Sequence, residues 1–328
     1  MDTKTIKWGM IGTGDVTERK SGPSFNKIKG SQLVSVGNRT AKKAEDYARR
    51  HGIPICHRDP FDVISDPEVD IVYIATPPGS HMEYALEVIK AGKPVYLEKP
   101  MARTWHECTM INEAAEKRNI PVYVAYYRRS LEYFKKVKEI IDGGALGKIL
   151  HINLQQNFPA RDEDHRPGHM PWRLIPKESG GGYFHDMGCH ALDILFYMFG
   201  DPLEVTGKAC NRGGLYAPND TISASLLLPD NLLATGSWSF VTPEINQKDQ
   251  VEVVGEKGKL EFSIFGFSPI HITHGDHRNS FAIVQPEHIQ MPFIQSIVSE
   301  MNGIGKCPSP GLTAAVTSRA MDIISGRF

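Results

Sequence analysis

Short β-rich runs alternate with helical patterns through the first third of the chain. The runs are Ile6–Ile11, Leu33–Val36, Ile71–Ala75, Val95–Leu97 and Val122–Ala125. Between them the spacing of apolar positions predicts helices at Thr40–His51, His81–Ala91 and Thr104–Arg118. Such alternation predicts a parallel sheet covered by helices on both faces. Right-handed crossovers make that sheet doubly wound, an α/β Rossmann architecture with ligands at the carboxyl ends of its strands.

The pattern changes after about Tyr126. A helical stretch, Arg129–Asp142, ends at Gly143–Gly144. Longer strands follow at Lys148–Gln156, Leu203–Cys210, Thr221–Leu228, Leu232–Phe240, Gln250–Val254 and Leu260–Phe265. Turn signals join them, among them Leu-Pro-Asp-Asn at 228–231 and Gly-Glu-Lys-Gly at 255–258. Strand after strand without intervening helices predicts an α+β domain built on a large, mostly antiparallel sheet. One helix interrupts the strands at about Met187–Phe199, and two more close the chain near Glu287–Asn302 and Thr313–Ser325. The boundary expected is 1–126 for the first domain and 127–328 for the second.

Bulk properties narrow the function class. The chain has 328 residues, 41% hydrophobic and 23% charged, with a net charge of −1. That length suits two ordinary domains with cores needing no staples. Near-neutral charge gives no global field for nucleic acid or an anionic membrane. Five cysteines without a C-x-x-C pair argue against a disulfide framework or a zinc knot. No apolar run is long enough to span a bilayer, and no secretory h-region precedes Ile6; the expectation is a cytoplasmic protein.

The first strand runs into Gly12-Thr13-Gly14-Asp15-Val16-Thr17, a G-x-G-x-x-T variant of the dinucleotide fingerprint. Gly12 allows the tight turn, and Gly14 lets the backbone approach a pyrophosphate. Thr17 stands where a third Gly or Ala usually permits close helix–strand packing. The second strand ends in Asn38-Arg39-Thr40, followed by Lys42 and Lys43, with no carboxylate for a ribose 2′-hydroxyl. Arg39 and Thr40 can instead bind a 2′-phosphate, so NADP is preferred over NAD. The alternatives are that Thr40 caps a helix beside a solvated basic face, and that Arg39 stacks on adenine.

Two further segments are Tyr96-Leu97-Glu98-Lys99-Pro100-Met101 and Gly180-Gly181-Gly182-Tyr183-Phe184-His185-Asp186-Met187-Gly188-Cys189-His190-Ala191-Leu192-Asp193. With the fingerprint, with Ile74-Ala75-Thr76-Pro77-Pro78-Gly79-Ser80-His81 and with Ala91-Gly92-Lys93-Pro94, the chain resembles the Gfo/Idh/MocA family of NAD(P)-dependent oxidoreductases over nearly its whole length. By motif, the resemblance places the family's catalytic Lys, Asp and His at Lys99, Asp186 and His190.

The residues make chemical sense without it. Lys99 follows a strand at the carboxyl edge of the sheet, where a cation can hold a substrate oxygen and stabilise charge developing on it. Asp186, His190, Asp193 and Tyr197 fall at i, i+4, i+7 and i+11, one face of a continuous helix. His190 has an intrinsic pKa suited to taking a hydroxyl proton near neutrality, and Asp186 can orient it or bind a substrate hydroxyl. Further cofactor candidates are Thr76, Pro77, His81, Glu98 and Arg128. His81 could touch the cofactor or cap its own helix. Tyr127, Trp172 and Arg173 are substrate candidates, with Arg161, Asp164 and His165 weaker ones in the polar loop Pro159–Ser179. The spacing of His271, His274 and His277, with Asp276, suggests a metal site, but on a strand it puts alternate residues on opposite faces; an exposed turn without metal is preferred.

The expected activity is hydride transfer between NAD(P) and a carbon bearing a hydroxyl or carbonyl, on a sugar, cyclitol or related polyol or diol. Two alternatives remain: nicotinamide-dependent glycoside cleavage by transient oxidation and elimination, and a non-catalytic NADP(H)-binding regulator. The resemblance also implies a homodimer or homotetramer.

Overall fold

A computed structural model describes residues 4–166, 168 and 170–327. Met1 to Thr3 at the head of the first domain, Pro167 and His169 in the Pro159–Ser179 loop, and Phe328 lie outside the described residues. In chain order the elements are β1 (Ile6–Ile11), α1 (Asp15–Arg19), α2 (Gly22–Lys27), β2 (Ser31–Gly37), α3 (Ala41–His51), β3 (Ile55–His57), α4 (Pro60–Ser65), β4 (Ile71–Ile74), α5 (His81–Lys90), β5 (Val95–Leu97), α6 (Trp105–Arg118) and β6 (Val122–Val124). There follow α7 (Glu132–Asp142), β7 (Ile149–Asn157), α8 (Pro176–Ser179), α9 (Cys189–Phe199), β8 (Glu204–Cys210), β9 (Thr221–Leu228), β10 (Leu232–Ser239), β11 (Lys248–Gly255), β12 (Gly258–Phe262), β13 (Ile270–His274), β14 (His277–Phe281), α10 (Met291–Met301) and α11 (Gly311–Ile324).

The first sheet is parallel, with strand order β3-β2-β1-β4-β5-β6. The order reverses direction between β1 and β4, the switch point where such sheets open a crevice. Every residue of β4 and β5 is buried, as strands covered on both faces must be. Turn chemistry sets the helix ends. Asp59 accepts from Phe61 N–H ahead of Pro60, Thr104 accepts from Glu107 N–H, and Gly52 and Asn119 end α3 and α6 in the left-handed conformation.

The second sheet has eight strands in the order β14-β13-β12-β11-β7-β10-β9-β8. All its pairs are antiparallel except β7 with β10. In β9 and β10 burial alternates, with Ile222, Ala224, Leu226, Leu228, Ala234 and Trp238 on the covered face. Asp230 and Asn231, both at positive φ, turn the chain between them. No described helix is long and apolar enough to cross a membrane.

Two compact units emerge: residues 1–131 with 286–315, and 132–285 with 316–328. They differ from a single cut at 126/127, because the chain returns to the first unit near its end. Gln290 N–H donates to Lys20 O, Tyr96 Oη donates to Gln290 Oε1, and Arg129 donates to Pro308 O.

Three predicted elements are corrected. The helix expected over Arg129–Asp142 is a 3-10 turn at Tyr127–Ser130, an extended Leu131, and then α7. The strand expected to reach Phe265 stops at Phe262, because the Asp249 carboxylate accepts the N–H groups of Ile264, Phe265 and Gly266 and curls them out of the ladder. The helix expected from Met187 is preceded by a π-helical turn, Phe184–Gly188, that runs into α9.

Candidate functional site

In the first unit, Gly12 has φ +98°, and a Cβ there would lie 2.9 Å from the carbonyl carbon and oxygen of Ala75, so only glycine fits between β1 and the end of β4. Gly14 differs. Its φ is −96° and a Cβ would meet no protein atom within 4 Å, so packing does not demand glycine there. Open space at the fingerprint's second glycine is what close approach of a pyrophosphate requires, and the residues present fit a dinucleotide. Val16 is half-buried and Asp15 exposed beside it.

Thr17 does not spoil the packing. It is buried, and its hydroxyl donates to Gly14 O at 2.7 Å. The close approach is supplied by Gly22 instead, where a Cβ would strike Thr17 O and Tyr47 Oη. Asn38 Nδ2 donates to Thr13 Oγ1 at 2.9 Å, and its Oδ1 accepts from Thr40 N–H at 2.8 Å, so Asn38 ties the two turns that a nucleotide would span. Thr40 stands at the N-cap of α3 but its side chain makes no capping bond, and Arg39 is exposed.

At the end of β5, Lys99 is half-buried and precedes Pro100 through a cis peptide bond. Glu98 is buried, its carboxylate accepting from Tyr73 Oη and Gln290 Nε2 at 2.7 Å each and from Lys99 N–H at 3.3 Å. His81 is fully buried with Nε2 2.8 Å from Thr76 O and Nδ1 3.1 Å from Pro100 O. That gives it a supporting position under the Thr76 and Lys99 turns, not an exposed one. Thr76 Oγ1 accepts from Ser80, Pro77 opens the turn before α5, and both are half-buried. Tyr127 and Arg128 are buried, with the guanidinium 5.0 Å from the Tyr127 ring centroid.

In the second unit, a π turn stands where the start of a continuous α-helix was expected. A π turn closes i→i+5 bonds, so Asp186 inside it is not held in the i→i+4 phase that continues through His190, Asp193 and Tyr197 in α9. Asp186, His190 and Asp193 are buried, while Tyr197 is half-exposed with Lys138 Nζ 5.9 Å from its ring. Arg173 Nε donates to Asp186 Oδ2 at 2.8 Å, and its guanidinium lies 4.5 Å from the Trp172 ring. Phe265 meets the His190 ring edge-on at 5.7 Å.

His185, next to Asp186, accounts for the middle glycine of the run. A Cβ on Gly181 would strike its ring, whose Nδ1 lies 3.1 Å from Gly181 O. Arg327 bonds the ring's Nε2 and Gly180 O, and donates to Asp322 at 2.6 Å. A guanidinium only donates, so Nε2 accepts and the proton sits on Nδ1. Burial and the Arg327 charge outweigh Asp322 and hold the ring's pKa below its usual value.

Of the weaker candidates, Asp164 is buried, accepting from Tyr183 Oη at 2.6 Å and from Arg161 N–H at 2.8 Å. Arg161 lies 4.5 Å from the Tyr183 ring, and His165 is exposed. His271, His274 and His277 line the β13–β14 hairpin, where His271 bonds Ser280 Oγ and His274 bonds Ala145 O. Phe265, Arg327 and Gln290 were not legible as site residues, because each reaches its place only through distant chain, and His185 lay within the glycine-run motif with nothing local to mark its role.

Residues 6–126 match the oxidoreductase family with the NAD-binding Rossmann fold, GFO_IDH_MocA, and residues 134–261 match the GFO/IDH/MocA C-terminal domain. The chain belongs to the Gfo/Idh/MocA family of oxidoreductases. It is 35% identical to Oxidoreductase P35 of Formosa agariphila over 327 residues, 98% of each chain. It is 25% identical to scyllo-inositol 2-dehydrogenase (NAD(+)) of Bacillus subtilis over 95% of this chain and 89% of that one. In fold it is similar to the aldose-aldose oxidoreductase of Caulobacter crescentus solved with glycerol, at a TM-score of 0.86 and 23% identity over 98% and 96% of the two chains. This Gfo/Idh/MocA oxidoreductase thus carries both of the family's domains.

Proposed function

We propose that this oxidoreductase moves a hydride between NAD(P) and a carbon bearing a hydroxyl or carbonyl on a sugar, cyclitol or related polyol. The observation that carries the reading is the complete Lys99, Asp186 and His190 set, with Asp186 held by Arg173 and both Asp186 and His190 buried. A family member that acts on a cyclitol and a fold neighbour named for aldoses support the substrate class.

The nicotinamide, when bound, supplies the hydride acceptor or donor. In oxidation His190 takes a hydroxyl proton, and Lys99 stabilises the charge developing on a substrate oxygen. Asp186, fixed by Arg173, orients a substrate hydroxyl or the imidazole. In reduction the proton travels the other way. Arg39 and Thr40 favour NADP, since the 2′-phosphate would find a cation and a hydroxyl not spent on a helix cap. Trp172, Arg173 and Tyr127 contribute to substrate recognition, and the chain assembles as a homodimer or homotetramer.

The deciding experiment is turnover of a polyol panel with NADP and NAD, for the native chain and for Lys99→Met. Turnover lost in Lys99→Met with cofactor binding kept supports the reading. Loss of cofactor binding in parallel makes Lys99 structural. Bond cleavage without net change in NAD(P)H absorbance favours glycoside elimination, and tight cofactor binding without any turnover favours a regulator.

A further inference from the structure

Lys99 stands directly after a buried carboxylate that is satisfied from far along the chain. Glu98 is 6% exposed, and the side chains on it are buried as deeply: Tyr73 at 0% and Gln290 at 1%. Tyr73 Oη donates to Glu98 Oε1 at 2.7 Å and lies 3.0 Å from Ser21 Oγ. Burial pushes the Tyr73 and Tyr96 hydroxyls well above their usual pKa, with the Glu98 charge adding to it, so both stay protonated donors. Gln290 uses both ends of its amide: Nε2 donates to the same Glu98 oxygen at 2.7 Å, and Oε1 accepts from Tyr96 Oη at 2.7 Å. The other Glu98 oxygen accepts the Lys99 N–H at 3.3 Å. Gln290's own N–H donates to Lys20 O at 3.2 Å, just past α1 and its glycine turn.

A buried carboxylate without enough donors moves or takes a proton. Tyr73 and Gln290 both converge on Oε1, so removing Gln290 takes away one of that oxygen's two donors and loosens a carboxylate whose other oxygen accepts the Lys99 amide. We infer that Gln290 is a positioning residue for Lys99: acting through Glu98, it fixes the backbone from which the lysine side chain projects, and through Lys20 it holds the end of α1 to the same frame. The residue comes from the stretch that returns to the first unit after the second sheet. Its kinetic consequence rests on the proposed hydride transfer; its effect on Lys99 does not.

The test uses the full chain with Gln290→Met, which keeps the volume and the main-chain bond to Lys20 but removes both amide functions. Lysines are reductively methylated with a ¹³C label, and the Lys99 signal is assigned by its absence in Lys99→Arg. The expected result is a displaced Lys99 resonance or titration midpoint, a kcat lower by about tenfold or more, as small misplacements of reacting groups produce, and an NADPH affinity close to native. A Lys99 signal that superimposes on the native one, or an unchanged kcat in an enzyme that turns over, overturns the inference. If Gln290→Met does not fold, Gln290→Glu is read the same way; it keeps the size and the acceptor for Tyr96 but sets a second carboxyl against Glu98. If the native protein turns over no polyol, the functional proposal falls, while the Lys99 signal still decides the role of Gln290.

Discussion

Arg173 Nε donates to Asp186 Oδ2 at 2.8 Å, joining the polar loop before the glycine run to the π turn that carries the carboxylate. The guanidinium is stacked on Trp172, so its direction is set before it meets Asp186. Arg173→Ala removes a charge-assisted bond from a buried carboxylate, which is costly. The expected outcome is a loss of kcat of about 10²-fold, in the range seen for removal of an electrostatic partner in an active site. Arg173→Lys should recover little, because a point ammonium cannot reproduce a stacked Nε donor. Steady-state kinetics of both variants check this; near-native kcat in Arg173→Ala would detach the loop from the chemistry.

Gly12→Ala tests the turn. The backbone conformation at φ +98° and the Ala75 carbonyl 2.9 Å from the added methyl both oppose it. The variant should lose NAD(P)H binding and melt several degrees lower, as a strain of about 1–3 kcal/mol implies. Gly14→Ala meets no protein atom, so it should melt like the native chain yet bind cofactor more weakly. Energy transfer from tryptophan to nicotinamide, with thermal melts, reads both.

Arg39 is the handle on cofactor choice. Arg39→Ala should weaken NADPH binding by about tenfold or more, the scale of one charge-assisted pair, and leave NADH nearly unchanged. Asn38→Asp puts a carboxylate where NAD-binding relatives of the fold carry theirs, and should shift preference towards NADH. Equal effects of Arg39→Ala on the two cofactors would assign Arg39 to the adenine ring.

Two buried histidines set an acid limit on stability. Burial holds the folded-state pKa of both His81 and His185 below the ordinary value of 6.5. The unfolded chain therefore binds more protons in the window between the depressed pKa and about 6.5, and unfolding free energy rises with pH there. The contribution is complete above about pH 6.5 and is lost on acidification, by up to about 1.4 kcal/mol per pH unit for each ring. Melting temperature should fall steadily from pH 7 to pH 5. A flat profile would mean that neither imidazole is held neutral.

The parallel domain and the fingerprint turn were legible in the sequence because each depends on local pattern, whereas Lys99, Asp186 and His190 were singled out through the family's motifs. Apolar runs alternate with helices at a fixed scale, and glycine at a positive-φ turn has no substitute. The short pieces α1, α2, α4, β3 and α8 were not legible, since a turn or two of helix or three strand residues carry too little periodicity to stand out.

By itself, then, the sequence determined the fold class, the family and the residues on which chemistry is expected, because backbone conformation and residue type decide those locally. Only the tertiary structure decided what surrounds them. A π turn, where spacing had predicted a continuous α-helix, carries Asp186 ahead of His190. Asp249 pulled residues 264–266 off β12, setting Phe265 on His190. Gln290 and Arg327 came back from the end of the chain to Glu98 and to the glycine run. A buried polar group must find its partner wherever the fold brings one, and sequence spacing holds no record of which distant residue that is.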